Sequence, residues 1–324
     1  MEILLWFGGL FLSLGVLVKS SDAFTEYAER LGKNIGLSPF IIGATIVSVG
    51  TSMPEMITSL IASLSGEPEL AAFAIDNIIG SNIANALLVI GLSAIIVKGL
   101  NISKVLIDVD LPFLFIASSL FILLIMDGDF TWKDGIISSA LAIIFLLYTL
   151  GEEERIAKEI DPEPRMLRIF HFHRKESTGL LITLIVLSAG FIFVGGKGTV
   201  DAVLRISELL HWDSSLLTLI IVALGTSLPE IVVSVVAALK GNHAIAIGNA
   251  FGSNIFNVLL VSSVPSFFTT LTVSDLSLRI GIPFFIVASL ACMFTTLDNK
   301  VRFWEGWGLL VLYGAFVAAA IGLI

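Results

Sequence analysis

Apolar residues in this chain run on continuously instead of alternating with polar ones. Such stretches cover residues 3–19, 38–64, 69–97, 110–126, 134–150, 178–195, 214–239, 244–270, 279–296 and 303–323. Most come near the ~20 residues that a helix needs to cross a bilayer. Transmembrane strands would show a two-residue period instead, and its absence argues against a β-barrel. The pattern predicts an all-α polytopic membrane protein of about ten transmembrane helices. Composition agrees: 56% of the 324 residues are hydrophobic and 14% are charged, where soluble domains carry about a quarter charged. The first stretch follows Met1-Glu2 and lacks the positive start and small-residue cleavage site of a secretory signal, so it is expected to be a retained span.

Polar positions set the organisation. Most connections are short. Residues 151–177 are the exception, dense in charge from Glu152-Glu153-Glu154-Arg155 to His173-Arg174-Lys175. This segment is the expected cytoplasmic connection between a first half, 1–150, and a second, 178–324, of five spans each. Orientation follows the lysine and arginine bias. With the N-terminus outside, fourteen of the 18 basic residues fall on inward connections, and only Lys133, Lys197, Arg205 and Arg279 fall on outward ones. Five is odd, so the second half enters the membrane inverted relative to the first, and the C-terminus returns to the outside. The net charge of −9 is spread over loops and a few buried acids. No basic cluster points to nucleic acid, and no protein partner is indicated beyond the lipid bilayer. Cys292 is the single cysteine, so no intrachain disulfide is available and it reads as a small core residue.

The halves also repeat in sequence. Gly50-Thr51-Ser52-Met53-Pro54-Glu55 returns as Gly225-Thr226-Ser227-Leu228-Pro229-Glu230. Gly80-Ser81-Asn82-Ile83-Ala84-Asn85 returns as Gly252-Ser253-Asn254-Ile255-Phe256-Asn257. Asp22-Ala23 with Glu29 matches Asp201-Ala202 with Glu208. Leu, Ile and Val alone cannot generate such matches. The motif regions are 43–97 and 218–270. Inverted repeats of this kind provide alternating access in secondary transporters.

Each copy sets a glutamate inside an apolar stretch, at a cost of roughly 2.5–3.5 kcal/mol on insertion scales. No lysine or arginine in a span is placed to neutralise it. Proline lacks an N–H and clashes with the carbonyl four residues back, so Pro54 should free the carbonyl of Gly50, and Pro229 that of Gly225. A carbonyl freed in hydrocarbon needs a partner, and a dehydrated cation would serve. If helical geometry persists, Thr51 and Glu55 share a face. Asn77, Ser81 and Asn85 form a stripe on the third span, and Asn249, Ser253 and Asn257 repeat it on the eighth. Gly80 and Gly252 would let helices approach closely. Four helices would then offer two carboxylates and about eight neutral oxygens, where Ca2+ takes 6–8. Carboxylate, hydroxyl and carbonyl oxygens suit hard cations such as Na+ and Ca2+. Serine, threonine and asparagine also bond simply across membrane helices, an alternative that stays open for each of them singly. An intramembrane hydrolase is disfavoured, because no Ser–His or paired-Asp arrangement and no His-Glu-x-x-His occurs. No enzyme activity and no cofactor are expected.

The paired motifs resemble the two α-repeats of prokaryotic sodium/calcium exchangers, in the cation/Ca2+ antiporter superfamily, and the resemblance covers essentially the whole chain. It implies a secondary active antiporter in the cell (inner) membrane that exchanges Na+ for Ca2+ by alternating access, electrogenically. It implies ion ligands at Thr51, Ser52, Glu55, Ser81 and Asn85 and at Thr226, Ser227, Glu230, Ser253 and Asn257. Asp76, Asn77 and Asn249 are accessory candidates. The alternative is exchange of H+ for Ca2+, or of another divalent cation, at the same carboxylates, with Asp76 as a proton carrier. Some relatives, including the potassium-dependent branch, have Asp where Asn257 stands, which argues against K+ co-transport. Asp76 also departs from the pattern, since its counterpart is Gly248, the usual residue of the family. It is expected beside an outer vestibule, where it would attract cations without holding them tightly. Residues 151–177 are too few for a separate calcium-sensor domain. His171 and His173, without further Cys or His, read as part of a solvated basic segment rather than a metal site.

Overall fold

A computed structural model describes residues 2–34, 48–102, 110–160 and 177–323. Among these, eight helices are long and apolar enough to cross a membrane: Glu2–Gly32, Pro68–Ile96, Trp132–Thr149, Thr178–Leu210, Ser214–Leu239, His243–Ser266, Ser277–Thr296 and Phe303–Ala320. Leu111–Ile125 is a shorter apolar helix in the place of the fourth span. The second span is described from Ser48, as two helices, Ser48–Thr51 and Met53–Ser65. The fold is thus the polytopic helical one that the apolar pattern predicts. His171 and His173 lie outside the described residues.

Three helices outrun their apolar stretches. The first and sixth, Glu2–Asn34 and Thr178–Leu210, have 33 residues each, which at 1.5 Å per residue is about 50 Å against a hydrocarbon core of about 30 Å. Their polar extensions carry charge pairs one turn apart, Lys19 with Asp22 and Arg30 with Glu26 in the first, Lys197 to Asp201 at 3.3 Å and Arg205 to Glu208 at 2.7 Å in the sixth, and such spacing favours continued helix. The fifth runs to Ile160, so the first part of segment 151–177 is helical rather than looped. The first and sixth helices pack on each other around Leu10, Leu14, Leu17, Ile192 and Val203. They cross at Gly195, where an added Cβ would lie 2.7 Å from the Leu17 nitrogen.

The third and eighth spans form the centre. Their apolar windows are 83% and 78% buried, against 22% for the first, fifth and tenth and 28% for the sixth and ninth. These two carry the Gly-Ser-Asn motifs, so the spans that bear those polar motifs are the most enclosed. Gly80 permits the close approach expected of it: a Cβ there would lie 2.2 Å from the Leu219 carbonyl oxygen of the seventh span. Cys292 is fully buried in the apolar core.

Two short ribbons display the pseudo-two-fold relation. β1 (Gly99–Asn101), after the third span, pairs antiparallel with β4 (Lys300–Arg302), before the tenth. β2 (Asp129–Phe130), before the fifth, pairs antiparallel with β3 (Leu271–Thr272), after the eighth. Exchanging the halves turns one ribbon into the other. Inverted topology sets them at opposite ends of the bundle, each tying a central span of one repeat to a peripheral span of the other.

Candidate functional site

Both Thr-Ser-x-Pro-Glu segments break their helix at the serine. Ser52 has φ −87° and ψ 6°, and Ser227 has φ −82° and ψ 6°. Pro54 and Pro229 fall in the first turn of the half-helices Met53–Ser65 and Leu228–Leu239, where a missing N–H costs nothing and the fixed φ suits the turn. Glu55 and Glu230 fall in the same first turns. The N-terminal helix dipole there favours negative charge by about 0.3–1 kcal/mol, which offsets part of the cost of burying them.

The break changes one expectation. Helical geometry does not persist from Thr51 to Glu55, and Thr51 does not serve its own glutamate. Its Oγ1 lies 3.4 Å from Ser253 Oγ, and the Ser253 hydroxyl donates to Glu230 Oε1 at 3.1 Å. On the other side, Ser81 donates to Glu55 Oε1 at 3.4 Å and lies 3.5 Å from Thr226 Oγ1. Ser227 of the second repeat donates to Glu55 Oε1 at 3.2 Å. Each repeat therefore lends one hinge hydroxyl toward the carboxylate of the other, Ser227 to Glu55 and Thr51 to Glu230.

The Gly50 carbonyl accepts the Ser21 hydroxyl of the first helix, which uses one of its two lone pairs and leaves the other for a cation. The matching position in the second repeat is Val200, which has no hydroxyl to offer Gly225.

Asn77 and Asn249 brace the glutamate helices. The Asn77 amide donates to the Glu55 carbonyl at 3.4 Å and to Ser59 Oγ at 3.3 Å, and its oxygen accepts from Thr226 at 3.4 Å. The Asn249 amide donates to the Glu230 carbonyl at 3.3 Å and to Ser234 Oγ at 3.1 Å. Ser59 and Ser234 escaped the sequence reading, although each stands four residues after its glutamate. So did the pairing at the pseudo-axis: Asn82 donates to the Asn254 carbonyl, and Asn254 to the Asn82 carbonyl, both at 3.2 Å. Asn257 donates to Asn82 Oδ1 at 3.1 Å, which commits its amide nitrogen to structure. Asn85 and Asn257 each begin a π-helical stretch or lie in its first turn, Ala84–Val89 and Asn257–Val261. Such local widening recurs at functional sites.

All ten expected ligands are at most 4% exposed, and both glutamates are fully buried. The carboxylates lie within electrostatic reach of each other. None of the ion pairs among the described residues involves them. Glu55 Oε2, Glu230 Oε2, Ser52 Oγ, Asn85 Oδ1 and Asn257 Oδ1 are buried without a hydrogen-bond partner. Buried polar atoms are nearly always satisfied, and oxygens of these kinds are the ligands a hard cation prefers. No group of three or more His, Cys, Asp or Glu that could hold a metal ion occurs among the described residues.

The arrangement matches known proteins. The family model described as sodium/calcium exchanger protein matches residues 5–151 and 180–322. The sodium/calcium exchanger MaX1 of Methanosarcina acetivorans is 30% identical over 343 aligned residues, covering 95% of this chain and 96% of that one. The inner membrane protein YrbG of Escherichia coli is 31% identical, covering 80% and 79%. Among solved structures, the sodium-calcium exchanger NCX_Mj soaked with 100 mM Na+ and 10 mM Sr2+ aligns with TM-score 0.65 and 29% identity, covering 98% of this chain and 99% of that one.

Proposed function

We propose that this chain, which belongs to the sodium/calcium exchanger family, is a secondary active antiporter that exchanges Na+ for Ca2+ across its membrane by alternating access. One observation carries the reading: two fully buried glutamates from inverted repeats, each with an unpartnered carboxylate oxygen and no ion-pair partner among the described residues. Their two negative charges balance one Ca2+ or two Na+, which makes the ions competitors for one space. Thr51, Ser52, Ser81, Asn85, Thr226, Ser227, Ser253 and Asn257 supply neutral oxygens around them. Asn77 and Asn249 position the glutamate helices rather than ligate.

The crossed hydroxyls give alternating access a physical basis. Because each carboxylate is completed by the other repeat, a shift of one repeat against its partner alters both halves of the ion shell together. The inverted relation means that the arrangement facing one solution is related to the one facing the other by an approximate two-fold rotation. We assign both termini to the outside and segment 151–177 to the cytoplasm from the lysine and arginine bias. An inwardly directed Na+ gradient would drive Ca2+ outward through such an exchanger.

The test is radiolabelled Ca2+ uptake into Na+-loaded proteoliposomes. Dilution of external Na+ should drive Ca2+ in. Uptake indifferent to the Na+ gradient would refute the reading, and uptake following a pH step in Na+-free buffer would replace Na+ coupling with H+ coupling.

A further inference from the structure

Asp76 has no counterpart in the second repeat, and its surroundings differ from those of the paired glutamates. It is fully buried. One oxygen, Oδ1, accepts the hydroxyls of Ser274 and Ser277, both at 2.6 Å. The Ser274 oxygen itself accepts the Ser277 backbone N–H at 3.0 Å, which fixes that hydroxyl and directs its proton to the carboxylate. Bonds of 2.6 Å lie at the short, strong end of the hydroxyl–oxygen range. The other oxygen, Oδ2, is buried with no partner. An ionised carboxylate in this place needs an opposite charge, and none of the ion pairs among the described residues supplies one.

Above Asp76 lies a cavity of about 360 Å3, at the end of the bundle that the proposed orientation places outside. Glu69 and Asp213 are in its wall, and its lining has no lysine or arginine. Ser274 and Ser215 line the cavity, and each reaches Asp76 from it: Ser274 by its hydrogen bond, and Ser215 as a side chain adjoining the carboxylate. On its inner side Asp76 adjoins Asn77, which holds the Glu55 helix. The carboxylate therefore stands one side chain below an acidic cavity and one residue from the central site.

We propose that Asp76, with Ser215, Ser274 and Ser277, forms an outer Na+ site that holds the ion between the external cavity and the paired glutamates. The proposal rests on the antiporter reading above and deepens it. Charge selects the ion. One carboxylate matches one monovalent cation. Asp213 is exposed and already accepts the Ser215 backbone N–H at 2.9 Å. A single carboxylate and three serine hydroxyls fall short of the 6–8 oxygens that Ca2+ takes. The inner path has Gly248 in the matching place, so the site acts on one face only.

The test measures the Na+ dependence of exchange from each face separately, in Asp76→Asn and Asp76→Gly, the second being the residue of the other repeat. Half-saturating external Na+ should rise about fivefold, a change readily resolved by affinity, while the internal value and the Ca2+ dependence stay as in the wild type. No external change, an equal rise on both faces, or a shift in Ca2+ instead of Na+ overturns the proposal. A second arm reads binding without transport. In Glu55→Gln/Glu230→Gln protein, Na+ should still produce an infrared carboxylate difference band, and adding Asp76→Asn should abolish it. Absence of that band before Asp76 is replaced, or its survival afterwards, also overturns the site. If wild-type protein fails to couple Ca2+ to Na+, the antiporter reading falls, while the infrared arm still reports on Asp76.

Discussion

Set side by side, the two repeats match at the glutamates and part company around them. Ser81 reaches Glu55 as Ser253 reaches Glu230, and Asn77 braces the first glutamate helix as Asn249 braces the second. Asn82 and Asn254 bond each other reciprocally where the halves meet. Away from this centre the repeats differ. Ser21 satisfies the Gly50 carbonyl where the second repeat has Val200, and Asp76 stands where the second has Gly248. Ser227 donates to Glu55, while its counterpart Ser52 has no partner. The matched part is what a transporter needs to present one site to two solutions. The unmatched part is free to treat the two faces differently.

Replacing the acids should do most to break the matched part. Glu55→Gln and Glu230→Gln should each lower Na+-driven Ca2+ flux by about 100-fold or more, in keeping with the 2–5 kcal/mol typical of truncating a buried charged partner. Near-normal flux in both would show that the carboxylates are not ligands, and a mild effect in one alone would deny them equal roles.

The axis comes next. Asn82→Ala and Asn254→Ala should each destabilise the protein by about 1–3 kcal/mol, the cost of leaving a buried partner unsatisfied. Thermal denaturation in detergent should show the double variant losing less than the sum, since residues in one network couple. Strict additivity would mean that the reciprocal bonds do not act as a unit. The braces should give smaller, equal losses: Asn77→Ala and Asn249→Ala should raise half-saturating Ca2+ alike, by about fivefold for roughly 1 kcal/mol. A clear inequality would end the equivalence of the repeats at this layer.

Ser21→Ala sharpens the contrast at its faintest point. It removes the donor to a buried carbonyl and should cost about 1 kcal/mol, whereas Val200→Thr, at the matching place, should change stability by less than half of that. Equal effects would show that the Gly50 carbonyl draws nothing from Ser21.

The chain's apolar runs foretold the spans because lipid imposes length and composition locally. The motifs foretold the inverted halves and the two breaks, because proline acts on its own backbone. Other features were hidden for a shared reason. Thr51 meeting Ser253, Ser227 meeting Glu55 and Asn82 meeting Asn254 depend on how the halves dock, and spacing within one helix cannot show it. The pairing of β1 with β4 is likewise set by contacts across about 200 residues. Helix length failed at the first and sixth spans because charge pairs one turn apart extend a helix past the point where hydropathy ends. Asp76 stood out as a departure from the repeat, but its serine partners come from the ninth span and the approach to it, and only the folded chain brings them together.

The most direct measurement is anomalous diffraction from the protein crystallised with Ca2+ and without Na+. A single central peak about 2.3–2.6 Å from carboxylate oxygens of both Glu55 and Glu230, the usual Ca2+–oxygen distance, is the result expected. A peak touching only one of them, or lying elsewhere in the bundle with the two carboxylates apart, would contradict the shared site.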